Sequence, residues 1–230
     1  MQRLALFDLD DTLIDRRAAF VAWAAEFCDD HGFGPDEQAA LQEVDARHSG
    51  PRQHFFTVVR DLLALAETAE QLWEQYRRRM PHLVTCRSED LIALTRLRHA
   101  GWRLGIVTNG MADNQYGKIL RTGLDAVVHG RAISDDYGVR KPDPRLFAHA
   151  ARQCGSDIAD GGWMTGDSLH LDVRGGHNAG LGTIWLDSRG RDAHLPQVDP
   201  DPDYRAHSIL DAVAILLSTE DHLPSTTPPS

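Results

Sequence analysis

Five short apolar runs recur along the chain, at Leu4 to Phe7, Leu104 to Val107, Ala126 to Val128, Trp163 to Met164 and Thr183 to Leu186. None alternates apolar with polar residues, which is the pattern of strands buried on both faces of a parallel sheet. Stretches of helical length and periodicity separate them, so the pattern predicts a βαβ series and a doubly wound α/β core. Several helix ends are legible. Ser88 precedes the acidic Glu89 and Asp90, Asp143 precedes Pro144 at a first helical position, and Gly101, Gly155 and Gly180 read as stops.

One gap breaks the rhythm. About 95 residues separate Phe7 from Leu104, where a crossover needs only about a dozen. Inside it Phe20, Ala24, Phe27 and Cys28 share one helical face, and Phe55, Phe56, Val59, Leu62 and Leu63 share another. Thr68 and Gln71 form a capping-box pattern ahead of Leu72, Trp73 and Tyr76. The prediction is a catalytic core from 1–14 and 84–217 carrying an inserted helical module over 15–83. After Asp187 the segment with Pro196, Pro200 and Pro202 reads as irregular, Ser208 to Leu217 as a last helix, and 218–230, rich in Ser, Thr and Pro, as a disordered tail.

Composition narrows the function. A chain of 230 residues, 42% hydrophobic, can bury a sizeable core. A formal charge of -10 disfavours a nucleic-acid partner, which would call for basic patches; the run Arg77, Arg78, Arg79 points three ways around a helix and reads as a solvated face. No apolar run approaches a membrane span and the amino terminus lacks a signal-peptide layout, so a soluble cytoplasmic protein is expected. Cys28, Cys86 and Cys154 show no metal-binding or redox spacing and read as reduced structural thiols.

In an open parallel sheet, reactive groups collect at the carboxyl ends of the strands. The first apolar run ends in Asp8-Leu9-Asp10-Asp11-Thr12 and the second in Thr108-Asn109-Gly110. Lys141-Pro142 precedes a helix, and Gly166-Asp167-Ser168 follows the fourth apolar strand, with Asp172 five positions beyond Asp167. Singly, each has a plain structural explanation. Asp8 and Asp10 fit a solvated turn, Asn109-Gly110 a turn dipeptide, Lys141 a surface lysine, and Asp167 with Asp172 the cap of a helix near Ser168. His170 and His177 match no metal pair and read as helix-surface histidines; Arg16 and Arg17 suit either a substrate anion or a solvated helix start.

Taken together, in this order, the segments resemble the four motifs of the haloacid dehalogenase superfamily. Asp8-x-Asp10-x-Thr12 resembles its nucleophile motif, Thr108 its second, Lys141 its third, and Gly166-Asp167 with Asp172 its acidic fourth. The inserted helices resemble its cap. The resemblance covers nearly the whole chain and implies a Rossmann-like core with a mobile lid, acting as a monomer or homodimer on a small phosphorylated metabolite. It implies Asp8 as nucleophile forming an aspartyl phosphate, with Asp10 protonating the leaving oxygen and then activating water. Mg2+ would be held by Asp8, Asp167 and the backbone carbonyl of Asp10, with Asp172 behind them or reaching the ion through water. Thr108 and the backbone of Asn109 would hold phosphoryl oxygens, Lys141 would pair with Asp8, and Thr12 would stabilise the loop. Asp11 stands where many members carry glycine, and Gly176-His177-Asn178 replaces a run of small residues; neither removes a catalytic group. A phosphomutase keeps the same residues, so it remains an alternative to a phosphatase. A haloacid dehalogenase would not need Asp10, and a non-catalytic phosphoryl-accepting module would carry no lid.

Overall fold

The computed structural model describes residues 2–48, 50, 52–187 and 201–219. The chain divides into two compact units: Met1–Ile14 with Cys86–Ala112 and Gly123–Ser230, and Asp15–Thr85 with Asp113–Thr122.

The first unit is built on a six-stranded parallel sheet. Its strands are β1 (Leu4–Phe7), β2 (Arg103–Thr108), β3 (Gly130–Ile133), β4 (Trp163–Gly166), β5 (Gly182–Leu186) and β6 (Tyr204–Ala206), in the order β3-β2-β1-β4-β5-β6. All four residues of β1 are buried, which is why that run shows no polar alternation. The chain winds outward from β1 through β2 to β3, then returns to the other side of β1 at β4. That reversal puts the carboxyl ends of β1, β2 and β4 side by side, the usual place for a ligand site in an open α/β sheet.

One predicted strand needs correction, and one strand was not predicted. Ala126 to Val128 is not a strand: Leu124–Ala126 is a 3-10 turn, and β3 begins four residues later, at Gly130. Val127 and Val128 are nonetheless buried, so the apolar run marks core without marking a strand. Gly130 pairs with Gly105 on β2. A Cβ at Gly130 would stand 2.5 Å from the backbone of Gln153, and one at Gly105 would stand 2.6 Å from Cys154 Sγ. These two glycines let the end of a helix close onto the sheet, and glycine is a weak strand signal. Strand β6 also carries no run long enough to be read from sequence.

Helices of this unit are α5 (Ser88–His99), α7 (Ser134–Tyr137), α8 (Pro144–Gln153), α9 (Arg174–Asn178) and α10 (Ile209–Ser218). Arg87 rather than Ser88 occupies the cap of α5, while Asp143 accepts the Arg145 N–H at 2.9 Å ahead of Pro144. Ser208 caps α10, whose end includes Ser218. Pro196, Pro200 and most of the expected tail, 220–230, lie outside the described residues.

The second unit holds α1 (Arg16–His31), α2 (Pro35–Arg47), α3 (Arg52–Leu62) and α4 (Ala69–Arg79). Its core is aromatic. Phe20, Trp23, Phe55, Phe56 and Tyr76 are buried in mutual contact, with ring centroids 5.0 to 6.3 Å apart. Asp15 caps α1 through Ala18, and Thr68 with Gln71 closes the capping box on α4. Leu62, placed by periodicity on the buried face, is 49% exposed, so the packed face of α3 stops at Val59.

Helix α6 (Ala112–Arg121) follows β2, yet Asp113–Thr122 packs with the helical unit although the sequence pattern assigns it to the core. Asn114 donates to the Arg77 carbonyl at 2.7 Å, and Gly117 lies so close to Pro81 that a Cβ would come within 2.8 Å of it. The three arginines of α4 are not simply solvated. Arg77 pairs with Asp113, Arg78 with Glu74, and Arg79 with Glu26. No helix among the described residues is long and apolar enough to cross a membrane.

Candidate active site

The β1 exit loop folds tightly on one carbonyl. Leu9 O accepts the N–H groups of Leu13 and Ile14 at 3.0 and 3.1 Å, and Asp11 N–H donates to Ile14 O at 2.9 Å. Closing that turn places Asp11 at φ 59°, the left-handed region that glycine enters freely and aspartate tolerates. Asp8, immediately after β1, is tied to β4 by its N–H to Thr165 O at 2.9 Å, and its side chain is buried. Asp10 is half-buried.

Lys141 reaches into the same place. Its Nζ donates to Asp8 Oδ1 at 2.5 Å and to Asp172 Oδ1 at 2.7 Å, and the residue is 4% exposed. The Lys141 backbone is gripped by the Asn109 side chain, whose Oδ1 accepts the Lys141 N–H at 2.8 Å while its Nδ2 donates to the Lys141 carbonyl at 3.2 Å. Ser134 steadies the same β2 exit loop by accepting the Gly110 N–H at 3.0 Å. Thr108 is buried at the end of β2.

On β4, Gly166 has no room for a side chain. A Cβ there would lie 2.3 Å from Asp172 Cγ, so glycine is what allows the Asp172 carboxylate against the strand end. Asp172 Oδ2 accepts the Ser168 N–H at 3.0 Å. Carboxylate oxygens of Asp8, Asp167 and Asp172 all lie within 4.8 Å of one another. Asp172 thus stands beside Asp8 and Asp167 rather than behind them, closer than its sequence spacing alone implies. Asp10 is not in that cluster. The hydroxyl of Thr12 is buried and makes no hydrogen bond among the described residues, while its backbone N–H contributes to the Leu9 turn.

An ammonium between two carboxylates, with a third carboxylate beside them, makes an acid-rich, largely buried site. Burial pushes the Asp8 carboxyl well above its ordinary range; Lys141 opposes this, and Asp172 and Asp167 add to it. Burial also works against the Lys141 charge, but the Asp172 and Asp8 carboxylates outweigh it and raise its pKa. The lysine is therefore held as a cation. An all-oxygen donor set without histidine or thiolate suits a hard divalent ion such as Mg2+.

Other candidates fall elsewhere. His170 is exposed, whereas His177 contacts the Thr183 hydroxyl at 3.0 Å and Asp201 O at 3.1 Å, a packed position rather than a helix surface. Arg16 is bound by Asp45 at 3.1 and 3.2 Å. The roles of the Asn109 side chain and of Ser134 escaped the sequence. An Asn-Gly pair reads equally as a turn, and Ser134 is distant in sequence from what it holds.

Comparison with known proteins bears on the family and the fold. Residues 5–186 match the family described as haloacid dehalogenase-like hydrolase. The chain is 32% identical to a glyceraldehyde 3-phosphate phosphatase of Methanopyrus kandleri, over 93% of this chain and 97% of the relative. It is 32% identical to a phosphoserine phosphatase of Thermus thermophilus, over 81% of this chain and 75% of the relative. Among solved structures, the HAD-hydrolase YfnB from Bacillus subtilis, bound to magnesium, superposes with a TM-score of 0.76 at 24% identity, covering 93% of this chain and 98% of YfnB.

Proposed function

Since the chain belongs to the haloacid dehalogenase-like hydrolases and is a phosphoric monoester hydrolase, we propose that it hydrolyses a small phosphorylated metabolite with Mg2+ through an aspartyl phosphate on Asp8. The observation that carries this reading is the Lys141 ammonium bridging Asp8 and Asp172, with Asp167 within 4.8 Å. A nucleophilic carboxylate must meet an anionic phosphoryl group, so cationic charge has to be built in beside it.

In this reading an Asp8 carboxylate oxygen attacks phosphorus in line with the ester oxygen. The phosphorus–oxygen ester bond breaks, and Asp10 gives its proton to the departing alkoxide. Asp10, now a carboxylate, takes a proton from water, and that water attacks the phosphorus of the aspartyl phosphate. Orthophosphate leaves and Asp8 is restored. Thr108 and the backbone N–H of Asn109 receive phosphoryl oxygens, while Lys141 offsets their charge. Asp8, Asp167 and the Asp10 carbonyl would hold Mg2+, with Asp172 close enough to steady the set. When bound, the ion supplies charge neutralisation and alignment of the phosphoryl group against Asp8.

A three-carbon phosphate ester is supported by the relatives named for glyceraldehyde 3-phosphate and phosphoserine, with sugar phosphates and nucleoside monophosphates as the other classes to compare. The test is phosphate release from each of these with and without MgCl2, run beside Asp8→Asn. Release by the wild type alone, and only with Mg2+, is expected. No release from any ester, or undiminished release by the variant, would refute the reading. Asp10→Asn should slow esters of poor leaving groups more than nitrophenyl phosphate, because only the former need a proton.

A further inference from the structure

The peptide unit joining Asp167 to Ser168 is held at both polar ends. Its N–H, on Ser168, donates to Asp172 Oδ2 at 3.0 Å, and its carbonyl, on Asp167, accepts the indole N–H of Trp185 at 3.0 Å. A planar peptide anchored at both ends has a fixed orientation, and that orientation sets the backbone from which the Asp167 side chain projects. Register brings the indole there. Trp185 on β5 sits opposite Gly166 on β4 and opposite Arg205 on β6. Residues paired directly across strands share one face, so Trp185 stands beside Gly166, over which the Asp172 carboxylate is packed. The ring is 5% exposed. The Arg205 guanidinium lies 4.9 Å from its centroid, and Arg205 is in turn paired with the buried carboxylate of Asp187.

We propose that Trp185 is a positioning residue for the cation site: its indole N–H fixes the Asp167–Ser168 peptide and so aims the Asp167 carboxylate at those of Asp8 and Asp172. Arg205 and Asp187 hold the ring in place. The inference rests on Asp167 being a cation ligand. A buried indole N–H needs some acceptor in any case, but here the acceptor belongs to the ligand residue itself, which couples the edge of the sheet to the site. Outer partners of this kind commonly alter metal affinity by about 10- to 100-fold.

The test is Mg2+ binding by calorimetry to the metal-free full chain. Trp185→Phe keeps an aromatic ring but loses the donor together with part of the fused ring, and its Kd should rise about tenfold; Trp163→Phe makes the same change of ring size. Trp163→Phe, at the opposite end of β4, alters packing in the same sheet and should leave Kd unchanged. A Trp185→Phe Kd within about twofold of wild type, or an equal loss in Trp163→Phe, overturns the proposal. If Trp185→Phe does not fold, Arg205→Met takes its place, with an expected weakening of about threefold from loss of the cation over the ring; an unchanged Kd overturns the proposal equally. Wild-type protein that binds no Mg2+ would instead sink the functional reading on which this one depends.

Discussion

Each unit of this protein buries a cluster of charges, and the two are built in opposite senses. In the sheet unit, Lys141 pairs with Asp8 and Asp172, Asp167 lies within 4.8 Å of both carboxylates, and the Asp8 carboxyl is pushed up by burial and by its acidic neighbours. In the helical unit the lone carboxylate of Asp45 lies between Arg16 and Arg52. Burial there raises the Asp45 pKa, but hydrogen bonds and charge from the two arginines more than offset it, and the net shift is downward. Arg52 is further braced by the rings of Phe55, Tyr76 and Phe20, 4.7 to 5.7 Å away. The contrast separates a carboxylate flanked by two arginines from an ammonium flanked by carboxylates. Buried acidic groups with raised pKa, as in the second arrangement, are characteristic of active sites, where stability is given up for function.

Asp8→Asn should separate the two most strongly. Under the proposed mechanism turnover should fall by at least about a thousandfold. Yet thermal denaturation in EDTA should show stability equal to or above wild type, because a carboxylate whose folded pKa is raised opposes folding once ionised. A clear drop in melting temperature would erase the distinction. Lys141→Met comes next. It leaves the buried carboxylates without their cation, so turnover should fall about a hundredfold or more and the metal-free protein should lose about 3 kcal/mol in urea titration.

In the helical unit Asp45→Asn should cost about 3 kcal/mol, since it strips two partly buried guanidinium groups of their counter-charge. The pH dependence has a defined sign. The Asp45 pKa is lowered in the folded state, so its contribution is fully present above the ordinary carboxylate value of 3.8 and is lost as pH falls through the folded value. Stability curves of wild type and Asp45→Asn should therefore converge under acid and diverge above it; parallel curves would contradict the assignment. The smallest effect is expected at Asn109→Ala. Its two hydrogen bonds only orient the Lys141 backbone, so kcat should drop about tenfold while metal-free stability changes little. A rise in KM alone would return Asn109 to a purely substrate-holding role.

The division between what was legible in sequence and what was not follows the same physics. Local patterns were sufficient wherever the cause is local. Doubly buried strands leave apolar runs at Leu4 to Phe7 and Thr183 to Leu186, a capping box at Thr68 and Gln71 announces α4, and acidic or polar residues directly after strands announce the candidate site. Non-local causes left no such trace. Strand β3 starts at Gly130 because a helix must approach there, Asp113–Thr122 packs with the helical unit through Arg77 and Pro81, and Trp185 meets Asp167 only through strand register. By itself the sequence determined the α/β class and the family, and it singled out the candidate site residues. Which carboxylates share Lys141, which peptide holds Asp167 and where each charge is compensated were decided by the tertiary structure, because desolvation and charge coupling depend on distances that sequence separation does not encode.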